Sequence, residues 1–209
     1  VVNHLKSKGG SGLEAPTSVC NDADPANDIA DCDIGDGQGF WNASRTNAAR
    51  ALVDWLRADP TASADADAVI LGDLNAYAKE DPVEVLRAAG YVDVVEREGG
   101  YSFAFDGQWG SLDHALTSPS LRVQVTGAGE YHINSDEPNV LDYNTNFKSQ
   151  NHVTQLYAPD EFRTADHDPL LAGVAARAPY PFSGVFPSFA TPPVVTRIRA
   201  GLPLPISFR

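Results

Sequence analysis

Ala68-Val69-Ile70-Leu71 is a continuous apolar run, which reads as a strand buried on both faces. The run ends in Gly72, and Asp73 and Asn75 then flank apolar Leu74. On an extended chain, residues two apart point to the same side. The pattern therefore predicts a carboxylate and a carboxamide projecting together from the end of a core strand. Gly, Asp and Asn also favour turns, so a turn is the competing reading.

The other elements are placed around this strand. Val1 to Leu5 reads as a strand end carrying Asn3 and His4, and Lys6 to Gly12 as its basic, glycine-rich exit. Glu14 to Gly39 reads as a long loop with aspartates at 22, 24, 28, 31, 33 and 36. Calcium is one ligand for such a loop, although the spacing is not that of an EF-hand; a solvated acidic loop is the other reading. Asn42 to Ala58 predicts a helix with Ala48, Ala49, Leu52, Val53 and Leu56 on one stripe, capped by Asn42 or Ser44 and ended by Pro60. Asp81-Pro82 predicts the start of a second helix, with Asp81 as cap, Val83, Leu86 and Ala89 inward, and Gly90 as the stop. Strands are expected at Tyr101–Phe105, Gly110–Leu116, Leu121–Val125 and Leu170–Ala175, with a polar, irregular segment between Gly127 and Gln155. Strands alternating with helices, then strands in succession, indicate an α/β (α+β) layered fold.

Composition changes after Ala178. Seven of the fifteen prolines fall between Pro179 and Pro205, and no acidic residue does, which places a boundary there. Residues 1–178 read as one domain and 179–209 as a linker with the start of another module. Fifteen Lys and Arg against 28 Asp and Glu give a net charge of −13. That excludes a protein gripping nucleic acid through a broad basic surface. It does not exclude a phosphodiester substrate, because clustered carboxylates hold divalent cations that meet the phosphate. No apolar run is long enough to span a membrane. The chain has no Met and opens in what reads as mid-strand, so the natural N-terminus is expected upstream. Cys20 and Cys32 have no further thiols nearby for a zinc site, and a local disulfide is expected, with two free thiols as the alternative. Such a disulfide suggests an oxidising compartment and stabilises by about 3 kcal/mol in the chain-entropy model.

Four polar places fall at or near predicted strand ends: Asn3-His4, Asp73 with Asn75, Asp113, and Asp166-His167. Each has an ordinary structural explanation alone. Together they supply imidazoles for acid–base work, carboxylates to orient them or bind metal, and an amide to hold phosphate, the inventory of metal-assisted phosphoester hydrolysis.

The order His4-Leu-x-Ser, Gly72-Asp-Leu-Asn, Ser111-Leu-Asp-His and Asp166-His-Asp-Pro resembles the C-terminal two-thirds of the endonuclease/exonuclease/phosphatase superfamily. Pancreatic-type deoxyribonuclease, abasic-site endonucleases and bacterial sphingomyelinases belong to it. Within it, the chain most resembles the secreted bacterial extracellular-nuclease branch. The stretches Asn3 to Gly9, Asp36-Gly-Gln-Gly39 with Trp41-Asn42, Glu80-Asp81-Pro82, His132-Ile-Asn134 with Asp136-Glu-Pro138, and Leu141 to Asn144 carry that likeness.

The resemblance implies roles. His167 would contact the scissile phosphate or activate water, with Asp113 holding its ring. Asp166 and Asp73 would belong to the metal site, Asn75 and Asn3 would meet phosphate, and His4 would be the second imidazole. His114 and Asp168, neighbours by motif, are given structural roles. The implied cofactor is Mg2+ or Mn2+, with Ca2+ a further candidate. The implied fold is a two-sheet β-sandwich flanked by helices, of which this chain would supply one sheet and part of the other. The family's metal-binding Glu would lie in a missing N-terminal half. An exposed apolar flank and an inactive fragment are the corresponding expectations. The tail from Tyr180 resembles the start of a secreted module named for a Pro-x-Lys-Phe signature, with Ser207 at the Lys position.

The expected function is a secreted or cell-surface, divalent-metal-dependent nuclease acting on DNA, with RNA as a second substrate, with nucleic acid as substrate and no obligate protein partner. The alternatives are a phospholipid or phosphomonoester hydrolase of the same fold, and a non-catalytic, calcium-stabilised surface module.

Overall fold

A computed structural model describes residues 1–9, 20, 31–96, 100–142, 144–146, 148–156 and 158–175. The expected domain boundary at 178, the proline-rich tail, Asp22, Asp24, Asp28 and Tyr143 lie outside the described residues. Every element below belongs to one unit, Val1–Ala175.

The elements in chain order are β1 (Val2–His4), α1 (Asn42–Arg57), β2 (Val69–Asp73), α2 (Asp81–Ala88), β3 (Val92–Asp93), β4 (Phe103–Phe105), β5 (Gln108–Gly110), β6 (Asp113–Thr117), α3 (Pro119–Arg122), β7 (Val125–Glu130), a 3-10 turn (Asn139–Leu141), α4 (Gln150–Gln155) and β8 (Leu170–Val174). Four strands form the main sheet in the order β1-β2-β6-β3, with β1 parallel to β2 and the other pairs antiparallel. β4–β5 and β7–β8 are separate two-stranded ribbons. Among the described residues the architecture is thus mixed α/β, one four-stranded sheet plus two ribbons. The disulfide joins Cys20 and Cys32, and none of the described helices is long and apolar enough to cross a membrane.

The core lies where α1 and α2 cover β2 and β6. Ala49 and Val53 from α1, Val83 and Leu86 from α2, and Ile70, Leu74, Ala76 and Leu116 form one buried cluster. At about 25 cal/mol per Å² of apolar area removed from water, these contacts are the main favourable term fixing the helices to the sheet. Gly72 sets how closely β1 approaches. Its φ is +119°, and a Cβ there would lie 2.2 Å from the Asn3 carbonyl oxygen. Val2 on β1 and Leu171 on β8 are exposed.

Local details differ from the sequence expectations. Leu121–Val125 is not a strand: Ser118 accepts a hydrogen bond from the Leu121 N–H and Pro119 opens a single helical turn, α3, before β7 begins at Val125. Neither Asn42 nor Ser44 caps α1. Trp41 occupies the cap position at φ +64° with no side-chain bond, and Asp31 caps from outside, accepting from the Ser44 N–H (2.8 Å) and Oγ–H (2.6 Å). Asp33 and Asp36 likewise accept from nearby backbone N–H groups. Asp81 is the first residue of α2 rather than its cap: Glu80 holds the cap position, and the Asp81 carboxylate receives the Asn42 amide at 2.7 Å.

Candidate active site

Pairing register builds the first row of the site. His4 on β1 lies opposite Asp73 on β2, and Asp73 lies opposite Asp113 on β6. The three strands thus end side by side with an imidazole and two carboxylates. His4 Nε2 is 3.3 Å from Asp73 Oδ2. The pairing of β1 with β2 is what places His4, because its own side chain is 74% exposed.

Asn75 meets Asp73 by a turn, not by strand alternation. β2 stops at Asp73, and Asn75 adopts φ +47°. Its backbone N–H donates to Asp73 Oδ1 at 2.7 Å, and its Nδ2 donates to Asp73 Oδ2 at 2.9 Å and to the Leu5 carbonyl at 3.0 Å. Both amide hydrogens are therefore engaged within the protein. Asn75 orients Asp73 and ties it to the segment after β1, and it has no free N–H for a phosphate in this arrangement.

His167 arrives from the loop before β8. Its Nδ1 is 2.6 Å from Asp113 Oδ2, its Nε2 is 4.0 Å from Asp73 Oδ2, and its ring packs on Phe103 with centroids 4.5 Å apart. The loop is held on both sides. Fully buried Ser102 donates its hydroxyl to Asp113 Oδ2 at 2.7 Å, and its carbonyl accepts from the Asp168 N–H at 2.7 Å. Asn134 donates to the His167 carbonyl at 2.8 Å. Asp168 is itself buried and accepts from the backbone N–H groups of Ile133, Asn134 and Ser135, from the Ser135 hydroxyl, and from His132. Burial alone raises its carboxyl, but these donors outweigh it and hold Asp168 below the usual carboxylate value. The His132-Ile-Asn-Ser stretch thus fastens the loop that carries His167 in place.

His114 faces away from this row. It is buried, with Nδ1 2.6 Å from Asp93 and Nε2 2.8 Å from the Ala76 carbonyl, a structural pair between β6 and β3. Asn3, one residue from His4 on a strand, is absent from the cleft lining; its Nδ2 is buried and lacks a partner among the described residues. Asp166 lines the cleft from an exposed position.

A cleft of about 720 Å³ opens over His4, Asp73, Asn75, Asp113 and His167, walled by Phe103, Phe105, Leu112 and Tyr77. Burial pushes the Asp73 carboxyl above its usual value; the Asn75 hydrogen bond opposes this and the charge of Asp113 adds to it. Burial works against charge on His167, but the Asp113 hydrogen bond and charge prevail and hold its imidazole above the ordinary value. One potential ligand atom from each of Asp73, Asp113 and His167 lies within 4.8 Å of the others. Two crowded, partly buried carboxylates beside an imidazole fit a divalent cation, whose charge offsets the repulsion between them. Asp166 is not part of this group of three.

The sequence profile of the endonuclease/exonuclease/phosphatase family matches residues 9–136, more than half of the chain. The chain belongs to that family. Its members are generally metal-dependent phosphoesterases or nucleases, so the chain is assigned to hydrolases of phosphodiester or phosphate esters. The matched segment contains Asp73, Asn75 and Asp113 but neither His4 nor His167; sheet register and the Asp113 contact bring those two to it. Neither the curated proteins nor the solved structures include a match to the chain.

A second motif of the resemblance turns out to be scaffold. Lys8 lies 2.6 Å from both Glu80 carboxylate oxygens and donates to the Gln38 carbonyl. Fully buried Arg45 donates to the carbonyls of Lys6, Gln38 and Phe40. Trp41 Nε1 donates to the Gly9 carbonyl, and Asp81 N–H to the Gln38 side chain. These bonds tie the exit of β1 to the starts of both helices. Burial lowers the Lys8 ammonium despite Glu80.

Proposed function

We propose that this protein is a secreted, divalent-metal-dependent nuclease that hydrolyses phosphodiester bonds of DNA, with RNA as a second substrate. The observation that carries the reading is the convergence of the Asp113–His167 pair with Asp73 and His4 in one cleft, from segments as far apart as residues 4 and 167. The Cys20–Cys32 disulfide supports an oxidising compartment. We read residues 1–178 as belonging to the catalytic domain.

In this reading a water attacks phosphorus in line as the opposite P–O bond breaks. Asp73 orients that water and receives its proton. Asn75 keeps Asp73 in that orientation. His167, oriented through Nδ1 by Asp113, presents Nε2 to the phosphate and, when protonated, stabilises its developing negative charge. We read His4 as the second imidazole, returning a proton to the leaving oxygen or stabilising charge on the phosphate. Asp73 and Asp113 would hold a divalent cation, which would supply charge neutralisation at the phosphoryl oxygens, and Asp166 lines the cleft outside that group.

The test is to incubate the full-length protein with plasmid DNA, RNA and sphingomyelin vesicles, each with Mg2+, Mn2+ or Ca2+. Cleavage of nucleic acid that requires the metal and His167 is the expected result. Cleavage of lipid alone overturns the nuclease reading.

A further inference from the structure

Beside the catalytic row stands a ribbon whose function the proposed chemistry does not use. β4 and β5 are joined by a two-residue turn, Asp106-Gly107, with both residues at left-handed φ (+49° and +74°). This is the tight hairpin that matches strand twist. Its inner face carries Phe103 and Phe105, two residues apart on one strand, and both line the cleft. Phe103 is already covered by the His167 ring. The Phe105 ring lies within 9° of parallel to Phe103, centroids 6.2 Å apart, and the residue is 70% exposed. The three rings form a row that starts at the catalytic imidazole and ends in an open aromatic face.

Charge around the cleft says what that face is for. Lys8 is the one Lys or Arg among the described residues lining the cleft, and its ammonium is engaged by Glu80 and the Gln38 carbonyl. Lys6 nearby sits over the Trp41 ring at 4.9 Å. The chain as a whole carries −13. A polyanionic strand therefore gains little here from phosphate neutralisation and counterion release, the usual source of affinity. Stacking of bases on aromatic rings is the other source, and it needs no cation.

Resting on the nuclease reading above, we propose that Phe105 is a stacking subsite for the nucleobase next to the scissile phosphate, and that the preferred substrate is single-stranded or unpaired nucleic acid. A base in a duplex has both faces covered by its neighbours, whereas an unpaired base can leave the stack to cap Phe105. The alternative occupant, a lipid surface, suits the ribbon less well. Asp106 puts a carboxylate at its tip. Trp109, the ribbon's other exposed aromatic, pairs with Ala104 on the opposite face and meets Tyr101 edge-on. The two exposed rings thus face apart and cannot enter one membrane leaflet together.

The experiment measures steady-state cleavage with Mg2+ of a single-stranded oligonucleotide, the matching duplex, and a strand of the same length whose central residues carry no base. Phe105→Ala is expected to raise KM for the single strand about 5- to 100-fold, the range of base–aromatic stacking losses. Phe105→Trp is expected to restore it. The base-free strand should show a high KM with wild type and no further rise with Phe105→Ala. Trp55→Ala, an exposed aromatic on α1, serves as the control and should leave KM unchanged. If Phe105→Ala leaves KM for the single strand unchanged in an enzyme that still cuts it, the subsite is overturned and the nuclease reading stands. Weakened sedimentation of Phe105→Ala with phosphatidylcholine vesicles at unchanged KM overturns it in favour of lipid. A wild type that cuts no nucleic acid overturns both.

Discussion

Asp113 Oδ2 accepts from two donors at once, the Ser102 hydroxyl at 2.7 Å and His167 Nδ1 at 2.6 Å. One oxygen thus fixes the ring orientation of a histidine 54 residues away, and the buried serine fixes that oxygen. With Nδ1 committed to Asp113, Nε2 is the nitrogen that faces Asp73 and the cleft.

Replacement of His167 by Ala should therefore lower kcat by about 10²–10³-fold with folding intact, the usual loss when one charge-stabilising donor is removed. Asp113→Asn should lower kcat as well and move the His167 limb of the pH–rate profile to lower pH. The sign follows from Asp113 being what holds the imidazole above its ordinary value against burial. Steady-state rates across pH for the two variants decide this, and an unmoved limb in Asp113→Asn would show that the pair does not control His167.

Gly72 makes a second prediction, about distance rather than charge. Its φ of +119° strains any L side chain, and a methyl group would sit 2.2 Å from the Asn3 carbonyl oxygen. Backbone strain and overpacking together cost about 2–4 kcal/mol. Because Asn3 pairs with Gly72 and His4 with Asp73, relief of the clash moves His4 from Asp73. Gly72→Ala should lower the urea midpoint and reduce kcat together. A variant with wild-type stability and rate would show that β1 does not depend on this close approach.

Much of this was legible in the sequence, for identifiable reasons. The core strand and α1 were readable because their apolar residues repeat at the spacing of a buried strand and of an amphipathic helix, and Val69–Asp73 and Asn42–Arg57 fall where those patterns put them. α3 was not, because Leu121 to Val125 alternates like a strand, while the deciding contact is the Ser118 hydroxyl on the Leu121 N–H. Asp73, Asp113 and His167 were recognisable as chemistry-bearing residues, but their meeting depends on sheet register and a long-range contact. Asn75 shows the same limit on a smaller scale. A single left-handed residue turns its amide from the cleft onto Asp73, and Gly-Asp-Leu-Asn is compatible with either outcome. Ser102 carried no signal, since a buried serine is identified by what it touches, and Asn134 was read only as part of the His132-Ile-Asn134 likeness, with no role attached.

The His114–Asp93 pair predicts a pH dependence of stability separate from catalysis. Burial opposes charge on His114, but the Asp93 hydrogen bond and charge raise its imidazole above the ordinary 6.5. A raised folded value means the native state holds this proton more tightly than the unfolded chain. The contribution is fully present below about pH 6.5 and is lost as pH rises through the raised value. Removing one partner of such a buried pair costs about 3–5 kcal/mol. Metal-free protein should therefore unfold at lower urea as pH rises above neutrality. His114→Gln should be less stable at low pH and show a flatter slope. Equal slopes for wild type and variant would sink this assignment.

Metal binding should compete with a proton at Asp73. Burial and the charge of Asp113 raise the Asp73 carboxyl above 3.8, against the Asn75 hydrogen bond. A divalent cation held between the two carboxylates favours their charged forms, so binding and deprotonation are linked. As pH falls through the raised Asp73 value, affinity for Mg2+ or Mn2+ should weaken and the heat of binding should acquire a component that depends on buffer ionisation. The cation binds the native state alone, so at a hundredfold excess over Kd it should add about 2.7 kcal/mol to stability, and chelation should reverse that gain and remove activity together. Asp73→Asn keeps the side chain's shape but removes the charge and the titration. It should reduce the proton release measured by calorimetry in two buffers and lower affinity at neutral pH. If the variant binds Mn2+ as tightly as wild type, with the same proton release, the cation is held elsewhere and Asp73 serves the attacking water alone.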